Sequence, residues 1–385
     1  MIASKRGVKE KIRLITRNTE EVLTLDDLHR LITSGTKLRH YIGFEISGKV
    51  HLGQGLLCMG KIADFLEAGV ECHIFLADWH TYINEKLGAD WDKIKKVALG
   101  YFKEALIAGL KCFGVKSGNV HFILASDLYK DPIQWQNLME VSRHTTLSRV
   151  KRSIAITGRR EGEHLSFAQL IYPPLQVADI FTLQANIVQA GIDQRKAHVI
   201  ARQVAKKLKI TPLRNKNGEK IAPIAIHNNF LLGLSKPAVW PIEQEEMDKD
   251  LFATAFKMSK SKPDSAIFIH DSPEEIRHKI QKAFCPPDNV DYNPIINWVK
   301  YLIFWGEEEG ELKVVRPAKF GGTKVYQSIN KLIQDYQEGQ LHPLDLKNAV
   351  ADWLIAKLEP ARKHFQSGRA QEGLRFLESI LNHSD

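Results

Sequence analysis

Hydrophobic positions along the chain change their period several times, and each change marks an element. Tyr41, Ile42 and Phe44 are aromatic or β-branched and predict a buried strand. Ser47-Gly48 then turns the chain, and an apolar run from Leu56 to Phe65 follows at helical spacing. Glu71 and Asp78 bracket Cys-His-Ile-Phe-Leu-Ala, the pattern of a parallel strand buried on both faces. Over residues 88–118, Trp91, Ile94, Val97, Ala98, Tyr101, Phe102 and Ala105 share one helix face. Val120 to Ala125 predicts a further strand, residues 130–163 two helices, and Ile187-Val188 a short strand. Residues 1–40 are expected to be helical, with Thr24 and Asp27 spaced as a capping box. Ser272-Pro-Glu-Glu275 is a strong helix start. From there the chain should be mainly helical, with Trp298, Leu302, Phe304, Leu332 and Ile333 as core.

Several stretches carry more than packing. In Tyr41 to Gln54 a strand runs through a tight turn into a helix N-terminus, whose unpaired N–H groups and partial positive charge suit an anion. Gly53 leaves room for a flat group and His51 can donate to a phosphate, although a tight turn without a ligand looks the same. Asp78 and His80 lie just past a strand's carboxyl end, where open α/β sheets keep their ligands; a helix cap explains them equally well. Tyr172, Gln176 and Asp179, at spacings of four and three, share a helix face, with Pro173 and Pro174 expected in its first turn. A buried Asp179 would need a donor. Gly191-Ile-Asp193-Gln194-Arg195-Lys196 is a second strand-to-helix turn, suited to a ribose, a carboxylate or amine, and phosphate. In Lys257-Met-Ser-Lys260-Ser-Lys-Pro, small hydroxyls alternate with lysines, and Lys257 and Lys260 can close on phosphates as point charges. Residues 205–222 (basic) and 243–250 (acidic) read as surface insertions.

The bulk numbers narrow the class. At 385 residues, two or three domains are expected. A net charge of +9 favours a polyanionic partner, with Arg149 to Arg152 a candidate contact or merely a solvated face. Four scattered cysteines without a Cys-x-x-Cys pair argue against disulfides and a zinc knuckle. The early charges of Met1 to Arg6 argue against a signal peptide, and no apolar run reaches spanning length, so a cytoplasmic protein is expected.

Together these stretches resemble class I aminoacyl-tRNA synthetases, in particular the archaeal and eukaryotic tyrosyl type, over roughly residues 15–365. The resemblance rests on Tyr-Ile-Gly-Phe-Glu-x-Ser-Gly-x-x-His-Leu-Gly, Tyr172 to Asp179, Gly191-x-Asp-Gln-Arg-Lys196, Lys257-Met-Ser-Lys-Ser261 and Leu341-His-Pro-Leu-Asp-Leu-Lys-Asn348. It implies a Rossmann-type, doubly wound parallel sheet over residues 41–271 after N-terminal helices (1–40). A helical, dimer-forming insertion at about 88–165 and a helical anticodon-binding domain over 272–385 complete it. The implied reaction joins L-tyrosine to ATP, with Mg²⁺ on the ATP and no prosthetic group or protein metal site, then transfers tyrosyl to tRNA. Neither a membrane nor DNA is implied as a partner.

Carried over residue by residue, the resemblance puts Tyr41 and Asp179 at the phenol hydroxyl. Tyr172, Gln176 and Gln194 take the amino end, and Gly43, Gly53, Gly191 and Asp193 line the ATP. His51, Gln54, Lys257 and Lys260 handle the phosphates, with Gln54 standing where the family usually has histidine. Phe320, His342 and Asp345 would meet the anticodon, and Arg152, Arg195 and Lys196 the acceptor end. Three rivals remain: a tryptophanyl enzyme, disfavoured by Asp179; a small adenylyltransferase, disfavoured by the long helical tail; and a non-catalytic RNA-binding paralogue, which Gln54 leaves open.

Overall fold

The computed structural model describes residues 6–158, 164–237, 240, 263–307 and 309–382. Among these residues six strands form one sheet: β1 (Thr19–Leu23), β2 (Arg39–Phe44), β3 (Glu71–Leu76), β4 (Val120–Leu124), β5 (Ile187–Gly191) and β6 (Ile224–Asn228). Their order is β1-β6-β5-β2-β3-β4, with every neighbouring pair parallel except β1 with β6. From β2 the chain winds outward through β3 and β4, then returns to β5 and winds the other way. The switch point of this doubly wound sheet therefore lies between β2 and β5, the place where such sheets bind ligands.

Pairing across that switch point is short. β2 meets β5 only through His40 with Ile187 and Tyr41 with Val188. β2 and β3 pair over six residues, from Arg39–Glu71 to Phe44–Leu76. The two halves of the sheet thus part at their carboxyl ends.

Two expectations need correction. Residues 1–40 are not all helical: Thr19–Leu23 is the antiparallel edge strand β1 between helices Val8–Thr16 and Leu25–Thr33. Its half-buried Thr-Glu-Glu-Val-Leu suits an edge, covering the otherwise open side of β6. The span 88–165 is not a single insertion, because helix Lys103–Lys111 belongs to the crossover from β3 to β4, which is itself in the sheet. Among the described residues, the helical layer between the halves runs from Ala125 to Thr157. The C-terminal part also holds a hairpin, β7 (Leu312–Val314) and β8 (Lys324–Tyr326), whose tip uses the left-handed Gly321 and Gly322. Trp298, Leu302, Phe304 and Leu332 are buried there as expected.

Asp64, on helix Met59–Glu67, holds three parts of the chain together. It accepts from Arg17 (2.6 Å), Lys61 (3.2 Å) and the Trp305 indole (3.0 Å). The helix after β2 begins as a π-turn, Gly53–Cys58, seated tightly on its neighbours. A Cβ on Gly109 would lie 2.2 Å from the Gly55 carbonyl oxygen. Because that neighbour is backbone, Gly109→Ala should destabilise the protein by about 1–3 kcal/mol in urea unfolding; an unchanged midpoint would contradict this packing.

Candidate active site

The wall at the floor of the parted strands comes from helix Phe167–Thr182. Ser166 and Gln169 form a reciprocal capping box, so the helix starts before the prolines, which lie inside it rather than in its first turn. Pro173 and Pro174 cannot donate to the carbonyls of Gln169 and Leu170. Tyr172, Gln176 and Asp179 nevertheless line one face, as expected. Asp179 is fully buried; its Oδ1 accepts from the Tyr129 hydroxyl at 2.8 Å and from Gln134 Nε2 at 2.9 Å. Its Oδ2 has no partner. Burial pushes the Asp179 carboxyl up, while those two donors pull it down.

Tyr41 shares this pocket. Burial raises its phenol and the Asp179 charge adds to the rise. Tyr41's hydroxyl lies over Gly43: a Cβ on Gly43 would sit 2.7 Å from it, so only glycine leaves that space. Tyr172 donates to Glu45 at 3.4 Å, and Asn84 to the same oxygen at 2.8 Å. Gln194 donates to the Ile156 carbonyl at 2.8 Å and accepts from Gln176 at 3.4 Å, leaving Gln176 Oε1 without a partner.

His80 is buried at the carboxyl end of β3, its ring edge-on to Tyr172 and its Nε2 3.9 Å from Asp179 Oδ2. Neither ring nitrogen has a partner. Asp78 is a structural residue: it accepts from Ser126 N and Trp79 N (both 2.9 Å) and from the Ser126 hydroxyl (2.5 Å), tying the ends of β3 and β4. Four of the nine buried side-chain polar atoms without hydrogen-bond partners, among the described residues, belong to His80, Gln176 and Asp179. Since such atoms are normally satisfied, this concentration marks a place awaiting polar groups.

The other side of the cleft is built from the two strand-to-helix turns. His51 Nδ1 accepts from Gly53 N at 3.1 Å, which leaves the ring proton on Nε2 as a donor. Tyr101 accepts from Val50 N at 2.8 Å and fixes the turn. Leu52 N donates to Ile267 O and Ile269 N to Val50 O, and His51 bridges to Phe268. The segment that follows the lysine loop is thus stitched to the His51 turn; Lys257 and Lys260 themselves lie outside the described residues. Across the gap, the Asp193 carboxylate folds over Gly191. It is close enough to Cys58 to add to the burial that pushes this thiol up to about 12.

The remaining candidates lie elsewhere. Phe320 is 60% exposed at the hairpin tip under Lys319, and His342 caps helix Pro343–Lys357, with Asp345 in its first turn. Arg316 ties the two places, donating to Gly322 O (3.2 Å) and Gln340 O (2.8 Å). Arg152 and Lys196 are exposed, and Arg195 is held by Glu21 through Nε (2.8 Å) and Nη2 (2.9 Å). Sequence reasoning missed Tyr129, Gln134, Glu45 and Asn84. The available signal was that a buried Asp179 requires donors, without saying which.

Residues 33–359 match the family model of class I tRNA synthetases (W and Y). The chain is 52% identical over 374 residues to the tyrosine--tRNA ligase of Pyrococcus furiosus, covering 97% of this chain and 98% of that one. Identity to the Thermococcus kodakarensis tyrosine--tRNA ligase is 54%, with the same coverage. A tyrosyl-tRNA synthetase from Pyrococcus horikoshii, crystallised with L-tyrosine, superimposes with a TM-score of 0.92 at 50% identity, covering 97% of this chain and all of that one. The chain belongs to the class I tyrosyl-tRNA synthetases. It is an aminoacyl-tRNA synthetase, a tyrosine--tRNA ligase by relationship over nearly its whole length.

His80 offers a test of the pocket's burial. Burial pulls its imidazole down to about 3 from an ordinary 6.5, so it stays neutral in the fold and takes up a proton on unfolding. A lowered histidine contributes stability fully above pH 6.5 and loses it as pH falls. His80→Leu, which orphans no partner, should therefore lose less stability than the parent between pH 7 and 5, by roughly 2 kcal/mol. Parallel stability curves for the two proteins would contradict a buried, neutral His80.

Proposed function

We propose that this chain selects tyrosine by the unpartnered Asp179 Oδ2, which receives the substrate's phenol hydroxyl beside Tyr41. That one buried atom carries the reading. Oδ1 already accepts two hydrogen bonds, so Oδ2 is left for the ligand. A carboxylate there accepts the phenol proton, and a protonated Asp179 donates to the phenol oxygen; phenylalanine satisfies neither form. Tyr172, Gln176 and Gln194 hold the amino end, with Gln176 Oε1 as an acceptor in waiting. An indole N–H could donate to Oδ2 but not accept from it, and the double ring needs more room at the floor, which favours tyrosine over tryptophan.

ATP lies across the two turns, its adenine against Gly53 and Gly43 and its ribose at Gly191 and Asp193. His51 Nε2–H and Gln54 face the phosphates, and Lys257 with Lys260 closes on them. A tyrosine carboxylate oxygen attacks the α-phosphorus; that O–P bond forms as the bond to pyrophosphate breaks. A ribose hydroxyl of the terminal tRNA adenosine then attacks the tyrosyl carbonyl carbon and AMP leaves. No protein nucleophile is required: the protein positions the reactants and stabilises charge. Mg²⁺ arrives on the ATP phosphates. Among the described residues, the one three-residue group fit to hold an ion lies at Glu71, away from these turns, so no all-protein Mg²⁺ cage is invoked.

For tRNA, exposed Phe320 stacks on an unpaired anticodon base, with His342 and Asp345 at its edge. Arg152, Arg195 and Lys196 meet the acceptor end, Arg195 after exchanging Glu21 for phosphate. On this reading residues 41–271 are catalytic and 272–385 bind the anticodon, with β1 contributed from before residue 41. Exposed Trp135, Met139 and Leu147 on the helical layer, with Phe167 at the start of the next helix, offer apolar surface to a second copy, giving a homodimer. No helix among the described residues is long and apolar enough to cross a membrane, and the role assigned is translation in the cytoplasm.

Asp179→Ala should narrow the ratio of tyrosine to phenylalanine in amino-acid-dependent pyrophosphate exchange by about 10²-fold, the scale of one charge-assisted hydrogen bond. Retention of both activity and selectivity would reject the pocket.

A further inference from the structure

The amino end of the β3–β4 pair carries a second cluster with its own chemistry. Glu71 and His73 are two apart on β3 and so point to one face, and His121 is the register partner of His73 on β4. The two imidazoles stack, centroids 5.1 Å apart and planes at 22°. Glu71 Oε1 lies 3.9 Å from His73 Nε2 and 3.6 Å from His121 Nε2, and the three atoms all fall within 4.8 Å of one another.

The hydrogen bonds around the cluster fix what each atom offers. His73 Nδ1 lies 3.0 Å from the His40 carbonyl oxygen. A carbonyl only accepts, so the ring proton sits on Nδ1 and the Nε2 lone pair points at the carboxylate. Two lone-pair atoms facing each other are reconciled by a cation between them. Glu71 Oε2 is occupied separately, by Lys37 (2.8 Å) and Arg39 (3.2 Å). Metal-bound histidines and carboxylates characteristically have this outer shell: the second ring nitrogen donating to a carbonyl, the second oxygen held by donors.

We propose that Glu71, His73 and His121 bind a zinc-type transition-metal ion, one per chain. The donor set of two imidazoles and one carboxylate suits Zn²⁺ or Co²⁺ rather than Mg²⁺ or Ca²⁺, which prefer oxygen. Ligand bonds of about 2.0–2.2 Å bring tetrahedral ligand atoms to roughly 3.4 Å of one another. The side chain of His121, 59% exposed, has the freedom to close that difference, and a solvent molecule completes the fourth position. β4 is an edge strand, so the ion clasps the sheet's outermost pair toward the amino ends of the strands, whereas the cleft opens at their carboxyl ends.

The test is a Co²⁺ titration of the chelator-stripped full chain. Expected are one equivalent bound, a tetrahedral or five-coordinate visible spectrum, its displacement by Zn²⁺ but not by Mg²⁺, and a Zn²⁺-dependent rise in Tm. His121→Ala, an exposed edge position, should weaken binding at least about tenfold while leaving tyrosine-dependent pyrophosphate exchange unchanged. A spectrum that stays that of hydrated Co²⁺, or equal binding by the parent, His121→Ala and Glu71→Gln, overturns the site.

Discussion

The ladder between β2 and β5 ends after two residue pairs, at Tyr41 and Val188. Beyond that point Ile42–Phe44 and Gln189–Gly191 run apart, and backbone groups that would pair in a continuous sheet face a gap. Side chains take over below it: His40 Nε2 meets Gln189 Oε1 (2.9 Å), Gln189 donates to Asn228 (3.1 Å), and Asn228 donates to Cys58 (3.2 Å). This buried chain runs from β2 through β5 and β6 to the helix after the first turn. It fixes how far the two halves separate, and so where the turns carrying His51 and Asp193 face each other.

On the other face of the sheet the constraint is electrostatic. Asp179 is buried with one oxygen satisfied, and His80 beside it with neither nitrogen satisfied. Each such atom costs on the order of 1–3 kcal/mol while empty. The fold sustains that cost because the surroundings are rigid: Tyr129 and Gln134 clamp the carboxylate, and Gln134 in turn accepts from Thr182. Gln176, whose Oε1 has no hydrogen-bond partner, extends the same logic along the helix. On the proposed reading such a site recognises a hydroxyl by relieving a deficit, so loss of the hydroxyl is felt as an unpaired buried group rather than as a missing contact.

Much of this was legible in the residues. Strand, turn and helix at Tyr41–Gln54 and at Gly191–Lys196 follow from local pattern, because glycine, turn chemistry and hydrophobic period act over a few residues. What was not legible depended on distant partners. The edge strand β1 is short and polar, and it exists because β6 needed covering. Pro173 and Pro174 look like a helix start, yet the Ser166 capping box begins the helix two turns earlier and tertiary packing carries it through. Tyr129 and Gln134 reach Asp179 from a separate helical layer, a meeting that no local spacing encodes. Asp78 fitted a ligand and a helix cap equally, and its tie to Ser126 through both oxygens depends on β4, far along the chain. The proposed roles of Lys257 and Lys260 rest on their motif and on the stitching of Ile267 and Ile269 to the His51 turn.

The central claim is that Asp179 Oδ2 is empty because tyrosine's hydroxyl belongs there. The most direct measurement is a crystal structure of this protein with L-tyrosine. The account predicts the phenol oxygen within about 2.5–2.8 Å of Asp179 Oδ2, with Tyr41 alongside. A tyrosine bound with its ring elsewhere, or with Asp179 Oδ2 still without a partner, would contradict it.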